Sequence, residues 1–92
     1  MKKAVKVVIN GTVQGVFFRV FLKEKADLLG LKGFVRNLDN KDVEAYFEGD
    51  HEAIEKMLDF ARQGPAHSII KRVDVSDERY TGDYKSFNVL KF

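Results

Sequence analysis

Residues 4–30 read Ala-Val-Lys-Val-Val-Ile-Asn-Gly-Thr-Val-Gln-Gly-Val-Phe-Phe-Arg-Val-Phe-Leu-Lys-Glu-Lys-Ala-Asp-Leu-Leu-Gly, and the hydrophobic period changes part-way along. Over residues 4–13, Val5, Val7 and Ile9 alternate with Lys6, Val8 and Asn10. A period of two, rich in β-branched residues, predicts a strand. Over residues 18–29, Phe18, Phe21, Leu22, Ala26 and Leu29 recur at helical spacing, with Lys23, Glu24 and Asp27 on the other side. This predicts an amphipathic helix of about three turns, and Gly30 is a suitable stop. The short connection between them is punctuated by Gly11 and Gly15.

Working outward, the alternation returns. Leu31, Gly33, Val35 and Asn37 share one face of a strand over residues 31–38. Val43, Ala45 and Phe47 oppose Glu44, Tyr46 and Glu48 over residues 43–48. The polar linker Asp39-Asn40-Lys41-Asp42 joins the two as a hairpin. Asp50 is a good N-cap for a second helix whose apolar face is Ile54, Met57, Leu58 and Ala61, ended by Gly64-Pro65. Residues 69–75 predict another strand. After a polar stretch, residues 76–85, Phe87, Val89 and Leu90 suggest a short fifth one. The order is β-α-β-β-α-β plus that C-terminal strand. Two helices at this spacing can cover one face of an antiparallel sheet, an α+β ferredoxin-like sandwich, with residues 1–92 as a single domain.

The chain has 92 residues, enough for one core. Its 45% hydrophobic and 33% charged residues describe a globular chain rather than a disordered one. Cysteine is absent, which removes disulfides, thiolate nucleophiles and cysteine-ligated metal sites, and suits a cytoplasmic address. No apolar run approaches a membrane span, and the N-terminus has no secretory signal pattern. His51 and His67 lie far apart without ligand-spaced partners, so no metal or other cofactor is expected. The net charge of +2 attracts anions weakly and is not the dense basic stripe of a nucleic-acid binder.

The stretch Gly11-Thr12-Val13-Gln14-Gly15-Val16-Phe17-Phe18-Arg19 could hold an anion. A turn leading into a helix aims backbone N–H groups at one point, and the helix dipole adds a positive field. Glycine allows close approach, and an arginine matches phosphate oxygens with a planar charged fork. The spacing is neither that of the P-loop nor GxGxxG. On these residues alone a glycine-containing connection with a surface arginine is an equal alternative. Asn37, at the end of its strand, could either close the turn before Asp39 or hold a water. Arg36 faces the other way and reads as a surface charge. His51 reads as exposed, His67 as solvated or structural, and Phe17 and Phe18 as core or loop anchors.

These residues resemble the acylphosphatase family. Residues 11–19, GTVQGVFFR, resemble its first signature. Gly33-Phe34-Val35-Arg36-Asn37 followed by Val43-Glu44 resembles its second, and the interval between Arg19 and Asn37 fits. Glu48-Gly49, Gly64-Pro65 and Phe87-Asn88-Val89 extend the likeness over nearly the whole chain. The resemblance implies the ferredoxin-like fold and metal-free hydrolysis of acyl phosphates, with inorganic phosphate as product. It implies that the backbone amides of Gly15, Val16, Phe17, Phe18 and Arg19, with the Arg19 side chain, bind the phosphate, and that Asn37 orients the attacking water. The implied catalytic residues are Arg19 and Asn37. The expected partner is a small-molecule acyl phosphate, with no nucleic acid or membrane, and the chain is expected to be a monomer. One departure stands out: Asn40-Lys41 replaces the family's frequent Asp-Gly turn, and lysine is costly where φ is positive.

The same fold serves RNA-binding modules. Phe34 and Tyr46 could share the sheet's open face, where bases would stack, but Glu44 and Glu48 beside Tyr46 would repel a phosphate backbone. A third reading is a catalytically idle carbamoyl phosphate binding module of a larger maturation protein, against which the length of one domain counts.

Overall fold

The computed structural model describes residues 1–13 and 16–90, and of Val16 the backbone alone. Strand β1, Lys2–Thr12, leads to helix α1, Val16–Leu28. Strands β2, Lys32–Asn37, and β3, Val43–Asp50, form a hairpin, followed by helix α2, His51–Gln63. Strands β4, Ile69–Glu78, and β5, Phe87–Val89, complete the order. The sheet runs β4-β1-β3-β2-β5. The expected four strands pair antiparallel, β1 with β3 and β4, and β3 with β2. The fifth differs: β5 pairs with β2 in parallel, so the sheet is mixed.

The alternation in β1 and β3 has its structural counterpart in one buried face. Val5, Val7, Ile9, Val35, Val43, Ala45 and Phe47 pack against Phe18, Leu22 and Ala26 of α1 and against Ile54, Met57, Leu58 and Ala61 of α2. Burying one such aliphatic or aromatic side chain is worth about 1.5–3 kcal/mol, so this face holds both helices to the sheet. Phe87 brings β5 into the same core, its ring stacked on Phe47 at 5.2 Å. The helices meet at Phe21 and Phe60, edge to face at 6.4 Å, with Lys25 over the Phe60 ring at 4.7 Å.

Asp50 occupies the N-cap position with extended dihedrals, but its side chain makes no capping hydrogen bond. Instead it pairs with Lys2 at 3.2 Å. The reason is continuity: β3 runs straight into α2, and the β1 register sets Lys2 opposite Asp50. The His51 N–H is satisfied by the Met1 carbonyl at 2.8 Å.

The parallel pairing of β5 has a cause on the helix-free face. β4 and β5 lie at opposite edges of the sheet, so the connection at 79–86 must cross that face. Tyr84 packs on it against Phe34 and Tyr46, which are themselves stacked at 5.9 Å. Glu48 pins the crossing. Although only 1% exposed, it accepts hydrogen bonds from the Tyr46 hydroxyl at 2.9 Å and from the Thr81 N–H and hydroxyl at 3.2 Å each. Burial alone would raise its pKa, but the Thr81 and Tyr46 hydrogen bonds outweigh it and hold the carboxyl below its ordinary value. Burial and the Glu48 charge raise the Tyr46 phenol, which keeps it a donor.

Two predictions follow from these contacts. The hairpin closes through Leu38 N–H to the Asp42 carbonyl at 2.8 Å and Lys41 N–H to the Leu38 carbonyl at 3.1 Å, and Lys41 sits in the left-handed region at φ 76°. Lys41→Gly relieves a strain of about 1–2 kcal/mol, partly offset by the greater freedom of the unfolded chain, and should stabilise by roughly 0.5–1 kcal/mol in urea unfolding. Glu48 has a depressed folded pKa, so its contribution is present above the ordinary glutamate value and is lost as pH falls through the folded one. As pH falls from neutral through the ordinary glutamate range and below it, unfolding free energy should therefore drop more steeply in the wild type than in Glu48→Gln, and the gap between the two should close at the acid end.

Candidate active site

The sheet register brings the two signature stretches to one edge. Val43 lies opposite Ile9 of β1 on one side and opposite Asn37 of β2 on the other. β1 and β2 therefore run in the same direction towards one end of the sheet, where β1 continues past the level of Asn37 to Thr12, paired there with β4. β1 leaves the sheet after Thr12, and α1 begins at Val16 above the same edge. Asn37, the last residue of β2, stands there as its phase predicts.

Helix α1 starts two residues earlier than the periodicity suggests. The cause is Phe17: at 87% exposed it breaks the apolar stripe, whereas Phe18, 3% exposed, joins the core. Phe17 is thus not the core or loop anchor expected of it. The consequence bears on the site. Val16, Phe17 and Phe18 are the first helical residues, and N–H groups in that turn have no partner within the helix. The turn carries no acidic side chain, so the positive pole of the helix is not neutralised locally. Gln14 and Gly15, the latter among the expected phosphate-binding amides, lie outside the described residues.

Arg19 is held from the side. Its Nη1 donates to the Leu90 carbonyl at 3.3 Å, and one helical turn on, the Lys23 ammonium donates to the Phe87 carbonyl at 3.0 Å. Lys23 also pairs with Asp27 at 2.9 Å. Leu90 in turn donates its N–H to the Val35 carbonyl at 2.8 Å. One residue, Leu90, thus ties Arg19 to β2 two positions before Asn37. Sequence reasoning missed this carbonyl. The alternation of Phe87 and Val89 signals a strand, but nothing local says which edge it joins.

Two buried side-chain polar atoms among the described residues lack a hydrogen-bond partner: Arg19 Nε and Asn37 Oδ1. Leaving a buried donor or acceptor unmade costs about 1–3 kcal/mol, so buried polar atoms are nearly always paired. One orphan is a donor on a permanent cation and the other is a neutral acceptor. Both belong to the residues singled out by the signatures. The turn role for Asn37 is taken up elsewhere, since the Asn40 Oδ1 accepts the Asp42 N–H at 3.0 Å.

The other singled-out residues have ordinary roles. Arg36 pairs with Glu44 at 2.7 Å on the opposite face. His51 is exposed on the first turn of α2, and His67 is exposed in the loop before β4. Phe34 and Tyr46 do share the helix-free face, but they stack on each other and Tyr84 lies against both, beside the Glu48 carboxylate. A hollow of about 700 Å³ at the far end of the sheet, near Met1, Leu28, His51 and Lys56, holds neither orphan atom.

The family model described as acylphosphatase matches residues 5–89. An acylphosphatase of Syntrophus aciditrophicus is 44% identical over 90 residues, covering 98% of this chain and 94% of the relative. One from Pyrobaculum aerophilum is 47% identical over 85 residues, covering 91% and 90%. The crystal structure of acylphosphatase from Bacillus subtilis superposes with a TM-score of 0.91 at 29% identity, covering 98% of this chain and 99% of that one. Matched along nearly its whole length in sequence and in backbone, the chain belongs to the acylphosphatase family.

Proposed function

We propose that this chain hydrolyses acyl phosphates to a carboxylate and inorganic phosphate at the edge where β1, β2 and α1 meet, with Arg19 and Asn37 as its catalytic side chains. The observation that carries the residue assignment is the pair of orphans, Arg19 Nε and Asn37 Oδ1. A phosphoryl oxygen satisfies the first and a water the second.

The chemistry asks little of the protein. The leaving group is a carboxylate, stable as an anion, so it needs no strong acid. The phosphoryl group is held by the Arg19 fork and by the amides of Val16, Phe17, Phe18 and Arg19 at the positive end of α1; the Gly15 amide, assigned by resemblance alone, lies outside the described residues. Water bound to Asn37 Oδ1 attacks phosphorus in line. The new P–O bond forms as the bond to the acyl oxygen breaks, and the electron pair leaves with the carboxylate. A phosphoryl oxygen of the substrate takes the proton of the attacking water, and no side chain acts as a general base. Positioning and oriented donors supply the acceleration. No metal enters the scheme. Among the described residues no helix is long and apolar enough to cross a membrane; the absence of cysteine suits a cytoplasmic address, and a net charge of +2 is far from the dense basic surface of a nucleic-acid binder, so the proposed partner is the small acyl phosphate alone, bound by a monomer.

Release of phosphate from benzoyl phosphate, with EDTA present, tests the scheme. Turnover should persist in the chelator. Arg19→Ala should lose about 10²–10³ in rate, together with inhibition by inorganic phosphate. Asn37→Ala should lose turnover while inhibition by phosphate is retained. Full turnover in Asn37→Ala would contradict the water-positioning role.

A further inference from the structure

The β1–β3 ladder ends with Ile9 opposite Val43, level with Asn37. The next rung is made by side chains. Asn10 Nδ2 donates to Asp42 Oδ1 at 2.8 Å. Asp42 also closes the turn that follows Asn37. Its carbonyl accepts the Leu38 N–H at 2.8 Å, its N–H donates to Asn40 Oδ1 at 3.0 Å, and its Oδ2 accepts from Asn40 Nδ2 at 3.2 Å. Asp42 thus holds the end of β2 through its backbone and β1 through its side chain. On the β1 side the contact falls where the pairing with β4 shifts register, between Asn10 and Gly11. Such an irregularity re-aims a strand. Beyond it β1 runs on to Thr12, and α1 begins at Val16.

We propose that Asn10 is a positioning residue for the reaction: through Asp42 it ties the strand that leads to α1 to the turn that follows Asn37, and so keeps Asn37 Oδ1 aimed at the attacking water. The inference rests on the hydrolysis reading above and adds the contact that joins its phosphate half to its water half. Three observations support it. Asn37 Oδ1 has no hydrogen-bond partner, so no protein donor fixes this oxygen, and its direction follows the backbone that carries it. That backbone is held at the very next residue, because the Leu38 N–H donates to the carbonyl of Asp42, the residue Asn10 grips. Asn10 is also exposed, where water competes for its hydrogen bond and the net gain in stability is small. What the contact contributes is geometry. In-line attack is sensitive to it: a misplacement of about 1 Å, transmitted from outside the reacting groups, can cost about a hundredfold in rate.

Steady-state hydrolysis of benzoyl phosphate by the whole chain, with inhibition by inorganic phosphate measured alongside, tests the role. Asn10→Ala should lower kcat about fivefold, and Asn10→Asp, which sets a second carboxylate against Asp42, about twentyfold. KM and inhibition by phosphate should stay within about twofold in both. The double variant Asn10→Asp with Asp42→Asn exchanges donor and acceptor, and should return kcat to within about twofold of the wild type. In an Asn37→Ala background, Asn10→Ala should lower kcat by less than about twofold, because the group it positions is gone. Unchanged kcat in both single variants would overturn the proposal, and so would an undiminished effect of Asn10→Ala without the Asn37 side chain. A rise in KM or a loss of phosphate inhibition as large as the fall in kcat would overturn it too, by moving the effect to phosphate binding. Full turnover in Asn37→Ala, or no phosphate release by the wild type, is a separate result, which removes the hydrolysis reading and this proposal with it.

Discussion

Everything at the site depends on the register of β3 between β1 and β2. Val43 faces Ile9 on one side and Asn37 on the other. That pairing sets two strands separated in sequence by a whole helix side by side and in one direction, with the end of β2 level with Ile9. A slip of β3 by one residue would turn Val43, Ala45 and Phe47 out of the core and undo this alignment. Burial of Val5, Val7, Ile9, Val43, Ala45 and Phe47 on one face makes such a slip costly. The hydrophobic core therefore does more than stabilise the chain: it places a neutral acceptor at the level where the first helix begins.

In the proposed scheme the catalytic device is mostly backbone. A helix start without acidic side chains, one arginine clipped to the Leu90 carbonyl and one asparagine are the parts that scheme uses, on a substrate that is already activated. This explains how 92 residues without cysteine can make an enzyme. The cost lies in the two polar atoms left unpaired, Arg19 Nε and Asn37 Oδ1. Strain and unmade hydrogen bonds concentrate at functional sites in this way, supported by well-packed surroundings. Here the support is the docking of α1 on β5 through Arg19 and Lys23.

Much of this was legible in the sequence because it is periodic. The alternation of Val5, Val7 and Ile9, and the helical spacing of Ile54, Met57, Leu58 and Ala61, report burial directly. The phase of Asn37 against Val35 set its face correctly. The resemblance to the family supplied roles that spacing alone left open. What stayed hidden was non-local. The start of α1 was masked by Phe17, an apolar residue on a polar face. Glu48 reads as one more solvated glutamate, and only the crossing of residues 79–86 buries it and provides its donors. The partner of β5 depends on that same crossing, so the parallel pairing and the hold on Arg19 had no local signal.

In the proposed reaction, water held by Asn37 attacks phosphorus rather than the acyl carbon. Hydrolysis of benzoyl phosphate in water enriched in oxygen-18, with mass spectrometry of both products, tests it most directly. Attack at phosphorus puts the label in inorganic phosphate and leaves benzoate unlabelled. Label in benzoate would show attack at the carbonyl and contradict the assignment of the site.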